Sequence, residues 1–222
     1  MISWREASDE VMANILITGG SRGLGAEAVR QFTAAGHKVV FTYHKSEIEA
    51  DLLRQETGAT PVRCDVKHHD SVKIAVDKAV SVLGQIDVLI CSAAIAGSGT
   101  ITDMDISRWE EVISTDLSGV FHCIRYVLPA MISRKSGCII TVGPKCGEAG
   151  ESCEAAYSAA KAGVIGLTKA LAKELEPSGI RANCISPGMT DTGAAKAMMF
   201  LASGDAACIT GEVLSVSGSP AE

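Results

Sequence analysis

The sequence has no basic tract and no excess of positive charge. Its 222 residues include 20 lysines and arginines against 26 aspartates and glutamates, for a formal net charge of -6, and the pI is about 5.4. Nucleic acids and anionic membrane surfaces attract basic proteins, so we expect neither as a partner. The chain also lacks an apolar stretch long enough to span a bilayer. Its mixed, charged first residues do not resemble a signal peptide. A cytoplasmic location is therefore predicted.

The eight cysteines include no C-x-x-C pair, and most of them lie inside apolar runs. This pattern is typical of buried free thiols in a reducing compartment. His68 and His69 have no cluster of further ligands nearby, so the sequence predicts no metal site. The whole chain is 47% hydrophobic, which is enough for one sizeable core. We expect a loose extension at residues 1–11 and a single domain over residues 12–222.

Short apolar runs alternate with helical patterns along the chain. The predicted strands cover residues 14–18, 38–43, 60–64, 87–91, 138–142, 180–186 and 212–216. Helices are predicted near residues 23–35, 46–57, 69–83, 107–134, 153–176 and 194–203. Continuous apolarity indicates strands covered on both faces, and the alternation predicts an α/β fold with a parallel sheet. The apolar stripe of the 107–134 helix is wide enough to contact a second subunit as well.

A glycine-rich turn follows the first predicted strand. The sequence TGGSRGLG at residues 18–25 places Gly19, Gly23 and Gly25 between a strand and a helix. Glycines at these positions let the backbone turn sharply and approach a diphosphate. The helix that follows presents free N–H groups to that anion. A plain strand-to-helix turn is the alternative, but the context favours a dinucleotide cofactor.

The end of the second strand bears on which dinucleotide binds. Many such folds have an acid about 20 residues after the glycines, where it holds a ribose hydroxyl. Here His44 and Lys45 come first, and the next carboxylate is Glu47. Together with Arg22 they favour a 2′-phosphate, and therefore NADP over NAD. Lys45 as a solvated loop lysine is the alternative. Asp65 is a candidate to bind the adenine amino group or, equally, a helix-entry aspartate.

Tyr157 and Lys161 lie one helical turn apart in the segment YSAAK. Side chains at i and i+4 share a helix face, and the small residues around them leave room for a ligand. A lysine cation beside a phenol favours the phenolate and so lowers the pKa of the phenol. Tyr157 is therefore a candidate general acid for a carbonyl that undergoes reduction.

TGGSRGLG, the YSAAK helix and SPGMTDT at residues 186–192 resemble, in order and spacing, the short-chain dehydrogenase/reductase family. In its details the chain is most similar to 3-oxoacyl-acyl-carrier-protein reductases. The resemblance implies a Rossmann-type, doubly wound parallel sheet of seven strands in a single domain. It also implies hydride transfer between NADPH and a small carbonyl or acyl-thioester substrate, and a homodimer or homotetramer. Tyr157 and Lys161 would be catalytic, and Asp116 would take the place of an asparagine in the proton relay.

The resemblance further implies which residues contact the cofactor. They lie in the glycine turn, after the next three strands, in the catalytic helix and after the sixth strand: Gly19, Ser21, Arg22, Gly23, Leu24, Gly25, His44, Lys45, Asp65, Val66, Ala93, Tyr157, Lys161, Pro187, Gly188, Thr190 and Thr192.

Two departures from the family pattern fall on catalytic positions. Pro144 stands thirteen residues before Tyr157, where the family places a serine, and proline cannot donate a hydrogen bond to a developing oxyanion. Losing such a donor typically costs about a hundred- to a thousandfold in rate. Asp116 replaces the usual asparagine; an ionised carboxylate accepts but does not donate, and it could pair with Lys161.

Two further departures concern the walls of the site. The sequence CSAA at residues 91–94 replaces the Asn-Asn-Ala-Gly of the family. Thr192 runs directly into the last predicted helix, without the helical flap that covers the substrate in the family. Closure over a substrate helps to orient and desolvate it, so we expect a more open site.

Three functions therefore remain open. The favoured one is an NADPH-dependent carbonyl reductase with Tyr157 as general acid. The second is a cofactor-binding protein of the same fold with little or no activity. The third is a different reaction, such as isomerisation or dehydration, that uses Asp116 or Tyr157.

Overall fold

The computed structural model describes residues 12–144, 150–188 and 191–216. Within these ranges the predicted fold class is confirmed, because seven strands form one parallel sheet with helices on both faces. The strands are β1 (Asn14–Thr18), β2 (Lys38–Tyr43), β3 (Thr60–Arg63), β4 (Val88–Cys91), β5 (Gly137–Val142), β6 (Ile180–Pro187) and β7 (Val213–Val216). The helices are α1 (Gly23–Ala34), α2 (Glu47–Thr57), α3 (His69–Leu83), α4 (Ile106–Ile113), α5 (Gly119–Arg134), α6 (Ala155–Leu175) and α7 (Asp191–Ala202). The extension predicted at residues 1–11 lies outside the described residues.

The order of the strands fixes where a ligand can bind. The sheet runs β3-β2-β1-β4-β5-β6-β7, so the chain starts in the middle, builds one edge and then crosses back to build the other. β1 and β4 are neighbours in parallel register, with Leu16 opposite Leu89. The direction of winding reverses between these two strands. In open parallel sheets, ligands bind beyond the carboxyl ends of the strands at this point.

Alternate residues of each strand enter two separate cores. Leu16, Leu89 and Ile139 pack on one side of the sheet against α3, α5 and α6. Ile15 and Ile140 belong to the opposite core, which is covered by α1, α2 and α7. The strands therefore need apolar side chains on both faces, which is why they read as continuous hydrophobic runs.

The predicted helix over residues 107–134 is interrupted. Between α4 and α5 the backbone forms one π-helical turn, Ser114–Ser118. A π turn takes in an extra residue, and such turns are frequent at functional sites. Asp116 lies in this turn and is completely buried. The helical periodicity of the sequence gave no sign of this interruption.

The outer face of α4 and α5 keeps large apolar side chains partly in solvent. Trp109 is 37% exposed and Phe121 is 50% exposed. These residues belong to the predicted subunit contact, which stays a prediction. Of the helices in the described ranges, none combines the length and apolarity that a bilayer crossing requires.

Candidate active site

A cleft of about 400 Å³ lies at the carboxyl ends of the strands. It brings together most of the residues predicted to bind the cofactor, from six separate parts of the chain: Gly19, Ser21, Arg22, Gly23, Leu24, Gly25, His44, Lys45, Asp65, Val66, Ala93, Tyr157, Lys161 and Pro187. Gly188 is buried and Thr192 is exposed, and neither belongs to the cleft lining. Thr190 lies outside the described residues, so its predicted role is not tested.

The glycine turn is so closely packed that three of its positions, Gly19, Gly20 and Gly25, exclude a side chain. A Cβ atom on Gly19 would lie 2.6 Å from the Cα of Ala93, and the residue has a φ of +66°. A Cβ atom on Gly25 would overlap the carbonyl oxygen of Gly19. The conformation of this turn therefore depends on glycine at these positions, as in the phosphate-binding turns of dinucleotide sites.

Two threonine hydroxyls hold this turn in place. The backbone N–H of Gly19 donates to Thr42 Oγ1 at 3.3 Å. The N–H groups of Ser92 and Ala93 donate to Thr18 Oγ1 at 3.2 and 3.3 Å. The segment after β4 is thus tied to the end of β1 although CSAA lacks the family's asparagine amides. Neither threonine was predicted from the sequence. Both lie at the carboxyl ends of predicted strands, Thr18 in β1 and Thr42 in β2, and this position could have indicated a role beside the glycine turn.

The far end of the cleft carries both signs of charge. His44 Nε2 lies 3.5 Å from Asp65 Oδ2, and Lys67 Nζ lies 4.0 Å from the same oxygen. Asp65 Oδ1 accepts the backbone N–H of Lys67 at 3.1 Å, so this aspartate shapes the turn before α3. Lys45 and Arg22 are exposed. The expectation that no acid lies near His44 is therefore wrong. Asp65 is distant in sequence, but β3 ends beside β2 and brings this aspartate next to His44.

Tyr157, Lys161 and Asp116 meet at the other end of the cleft. Tyr157 lies in the first turn of α6, and Lys161, one turn further, is 1% exposed. Lys161 Nζ donates to the carbonyl oxygen of Val142 at 3.0 Å and lies 5.5 Å from the centroid of the Tyr157 ring. It also lies 3.9 Å from Asp116 Oδ2. The pairing of Asp116 with Lys161, raised from the sequence, is present.

The pKa values at this end are set mainly by burial. Burial raises the pKa of Asp116 to about 6 and outweighs the attraction of Lys161. Burial also lowers the pKa of Lys161. The pKa of Tyr157 is raised to about 12 by burial and then by the charge of Asp116. The prediction that Lys161 leaves Tyr157 with a lowered pKa is therefore wrong as a net effect.

Neither Thr141 nor Ser152 belongs to the cleft lining, so neither replaces the missing serine. Pro144 accepts a hydrogen bond from Ser186 Oγ through its carbonyl at 2.9 Å, and its ring has nothing to donate. Thr141 is buried and shares a hydrogen bond of 2.7 Å with Thr168, away from Tyr157. Ser152 is exposed and lies beside Cys153. The Tyr157 hydroxyl has no hydrogen-bond partner in the described part of the chain.

The connection between β6 and α7 is short. β6 ends at Pro187 and α7 begins at Asp191. The Asp191 side chain lines the cleft, and its Oδ2 lies 3.8 Å from where a Cβ atom on Gly23 would be. The sequence analysis did not single out Asp191. Thr192 instead accepts a hydrogen bond from Gln31 Nε2 through its carbonyl at 3.3 Å, which anchors α7 to α1.

A nucleotide-sized cleft at the switch point of a parallel sheet, with a Tyr–Lys pair in its wall, defines a class of dinucleotide-dependent enzymes. Residues 13–199 match the family model described as short chain dehydrogenase. The chain belongs to the short-chain dehydrogenase family.

Three proteins similar to the chain are reductases by name. The chain is 35% identical to the 3-oxoacyl-[acyl-carrier-protein] reductase FabG of Staphylococcus aureus, over 91% of this chain and 96% of the relative. It is 32% identical to the acetoacetyl-CoA reductase of an Acinetobacter species, over 91% and 95%. A crystal structure of an actinorhodin polyketide ketoreductase with NADPH superimposes with a TM-score of 0.88 at 27% identity, covering 93% of this chain and 96% of the other.

The length of the match to the staphylococcal reductase reveals a difference. It runs over 235 residues, whereas 91% of the 222 residues here is about 202. About 30 matched positions therefore have no counterpart in this chain.

Proposed function

We propose that the chain is an NADPH-dependent oxidoreductase that reduces a carbonyl, a 3-oxoacyl thioester or a similar ketone, with Tyr157 as the general acid. The observation that carries this proposal is the approach of Tyr157 and Lys161 in the wall of the glycine-lined cleft. The lysine nitrogen lies 5.5 Å from the ring centroid. A phenol beside a buried cation is the arrangement that proton donation to a carbonyl oxygen requires.

The cleft suits a dinucleotide. Gly19 and Gly25 pack against neighbouring backbone where a Cβ would not fit. This packing fixes the turn, and the N-terminus of α1 that follows it presents free N–H groups to a diphosphate in the cleft. When bound, the reduced nicotinamide supplies the hydride that adds to the carbonyl carbon. Lys45, Lys67 and Arg22 line the far end of the cleft and favour the 2′-phosphate of NADP over the bare hydroxyl of NAD.

The chain's own residues would handle the proton. As negative charge develops on the carbonyl oxygen, the Tyr157 hydroxyl donates its proton to that oxygen. Lys161, fixed by the Val142 carbonyl at 3.0 Å, stabilises the phenolate that remains. With a pKa of about 12, Tyr157 holds its proton at neutral pH but is a weak acid. We therefore expect slow turnover, and the proline at position 144 lowers it further.

The test is turnover of acetoacetyl-CoA, followed by the loss of NADPH absorbance, in the wild type and in Tyr157→Phe. A positioned general acid contributes about a hundred- to ten-thousandfold, so the variant should lose at least two orders of magnitude in rate. Ser158→Ala, on the next residue of α6, is the matched control and should keep the wild-type rate. Equal rates for the wild type and Tyr157→Phe would reject the reductase.

A cofactor-binding protein with little or no activity is the second candidate. Two observations favour it: Pro144 offers no donor to an oxyanion, and burial with Asp116 raises the pKa of Tyr157 to about 12. Calorimetry with NADPH separates the two functions. Binding without turnover of any short 3-oxoacyl thioester supports the second candidate, whereas no binding at millimolar NADPH rejects both.

A further inference from the structure

One buried carboxylate oxygen beside the cleft accepts no hydrogen bond from the part of the chain that the structure describes. Asp116 is fully buried in the π turn, and its Oδ1 accepts the backbone N–H of Ile95 at 2.9 Å. Its Oδ2 has no hydrogen bond within the described ranges. The nearest cation, Lys161 Nζ, lies 3.9 Å from this oxygen. A buried oxygen left without a hydrogen bond is costly, so its retention calls for a reason.

The charges around Asp116 come from several elements. α6 contributes Lys161 and Tyr157, and α4 contributes Arg108, whose charge acts on Asp116 from the solvent side. The thiols of Cys91 and Cys184 lie near Lys161. Glu151 and Glu154 act on Tyr157 from its exposed side. Of the charged groups in the described ranges, only Asp116 and Lys161 are fully buried here, so an ionised Asp116 leaves the buried pair with no net charge.

The two forms of a nicotinamide cofactor differ by charge at the ring. The oxidised ring is a cation and the reduced ring is neutral. A buried lysine alone repels the oxidised ring and so favours the reduced form, whereas a neutral Lys–Asp pair does not. The charge of Asp116 does reach the reacting end of the cleft, because it acts on Tyr157.

We infer that Asp116 is a specificity-determining residue for the redox state of the cofactor: by cancelling the charge of Lys161 it lets the cleft bind NADP⁺ about as well as NADPH. The inference rests on the proposed function. It means that NADP⁺ competes with NADPH for the cleft about equally at equal concentrations.

The experiment measures the dissociation constants of NADP⁺ and NADPH by calorimetry, without any substrate, in the wild type and in Asp116→Asn. Asparagine keeps the shape and the acceptor for the Ile95 N–H but removes the charge. We expect the ratio Kd(NADP⁺)/Kd(NADPH) to rise about tenfold in the variant, the order for one charge acting over roughly 10 Å at an effective dielectric constant of about 20. Asp77→Asn, on an exposed i,i+4 pair of α3, changes the net charge equally and should leave the ratio unchanged.

A second measurement needs no variant. Lowering the pH from about 7.5 to about 5 protonates Asp116 in the wild type, so the ratio should move toward the value of Asp116→Asn. If Kd(NADP⁺)/Kd(NADPH) differs by less than about twofold from the wild-type value at pH 7.5 in both measurements, the inference is overturned, whereas the proposed reductase function is unaffected. Failure of both forms to bind the wild type at millimolar concentration instead overturns the proposed function, and the inference with it.

Discussion

Replacing Asp116 with asparagine should change how the stability of the folded chain depends on pH. The pKa of Asp116 is raised from 3.8 to about 6 by burial, although Lys161 lies 3.9 Å away. The folded state thus holds this proton more tightly than the unfolded chain does. Protonation therefore favours folding, so the stabilisation is present below about pH 3.8 and is lost as the pH rises through about 6.

The size of the effect follows from the two pKa values. Each pKa unit of difference between folded and unfolded states corresponds to about 1.4 kcal/mol. A shift from 3.8 to about 6 thus makes the ionised wild type about 3 kcal/mol less stable at pH 7 than its protonated form would be. Asparagine cannot ionise, so the variant should lack this loss.

The assay is urea unfolding followed by far-UV circular dichroism at pH 4, 5, 6 and 7, with the free energy of unfolding compared between wild type and Asp116→Asn at each pH. Other titrating groups are common to both proteins, so their contributions largely cancel in the difference. That difference should move by about 2 kcal/mol in favour of the variant between pH 4 and pH 7, because at pH 4 the unfolded chain has already begun to ionise. A difference that is constant over this range would refute the reasoning, since Asp116 would then ionise like an exposed aspartate.

Three other changes test the cleft. Gly25→Ala should lower the free energy of unfolding by about 1–3 kcal/mol and weaken NADPH binding, because its Cβ overlaps the Gly19 carbonyl. The control is Gly166→Ala, whose Cβ has nothing within 4 Å and which should stabilise α6 by up to about 1 kcal/mol. If both variants changed the free energy of unfolding in the same direction, the packing argument would be contradicted. Pro144→Ser should raise acetoacetyl-CoA turnover by about a hundredfold. If the rate does not increase, the missing serine hydroxyl does not limit turnover, and the pairing of Asp116 with Lys161 or the short β6–α7 connection limits it instead. Lys45→Glu should narrow the preference for NADPH over NADH in a titration, and an unchanged ratio would remove Lys45 from cofactor selection.

Local sequence patterns were sufficient to predict the strands of the sheet and the glycine turn. The strand runs and the glycine turn could be predicted because both depend on neighbours in sequence: alternating burial on two faces for the strands, and backbone freedom for Gly19 and Gly25. The Tyr157–Lys161 pair could be placed on one helix face for the same reason.

Features that depend on distant parts of the chain could not be predicted. The π turn at Ser114–Ser118 interrupts a segment that was predicted as one continuous helix. Asp65 reaches His44 only because β3 and β2 end side by side. The pKa of Tyr157 is raised, against the local expectation, by burial and then by the charge of Asp116. Each of these is a tertiary effect with no counterpart in spacing.

The hydrogen bond from Lys161 to the Val142 carbonyl has a mechanical consequence. The ammonium group of Lys161 is held by the backbone of β5: it donates a hydrogen bond to Val142, the last residue of that strand, and Val142 pairs with Ile185 of β6. Any substitution that slides β5 along its neighbour also carries this ammonium away from the phenol. A substitution in the core of the sheet, for instance at Ile140, should thus lower the catalytic rate before it unfolds the chain.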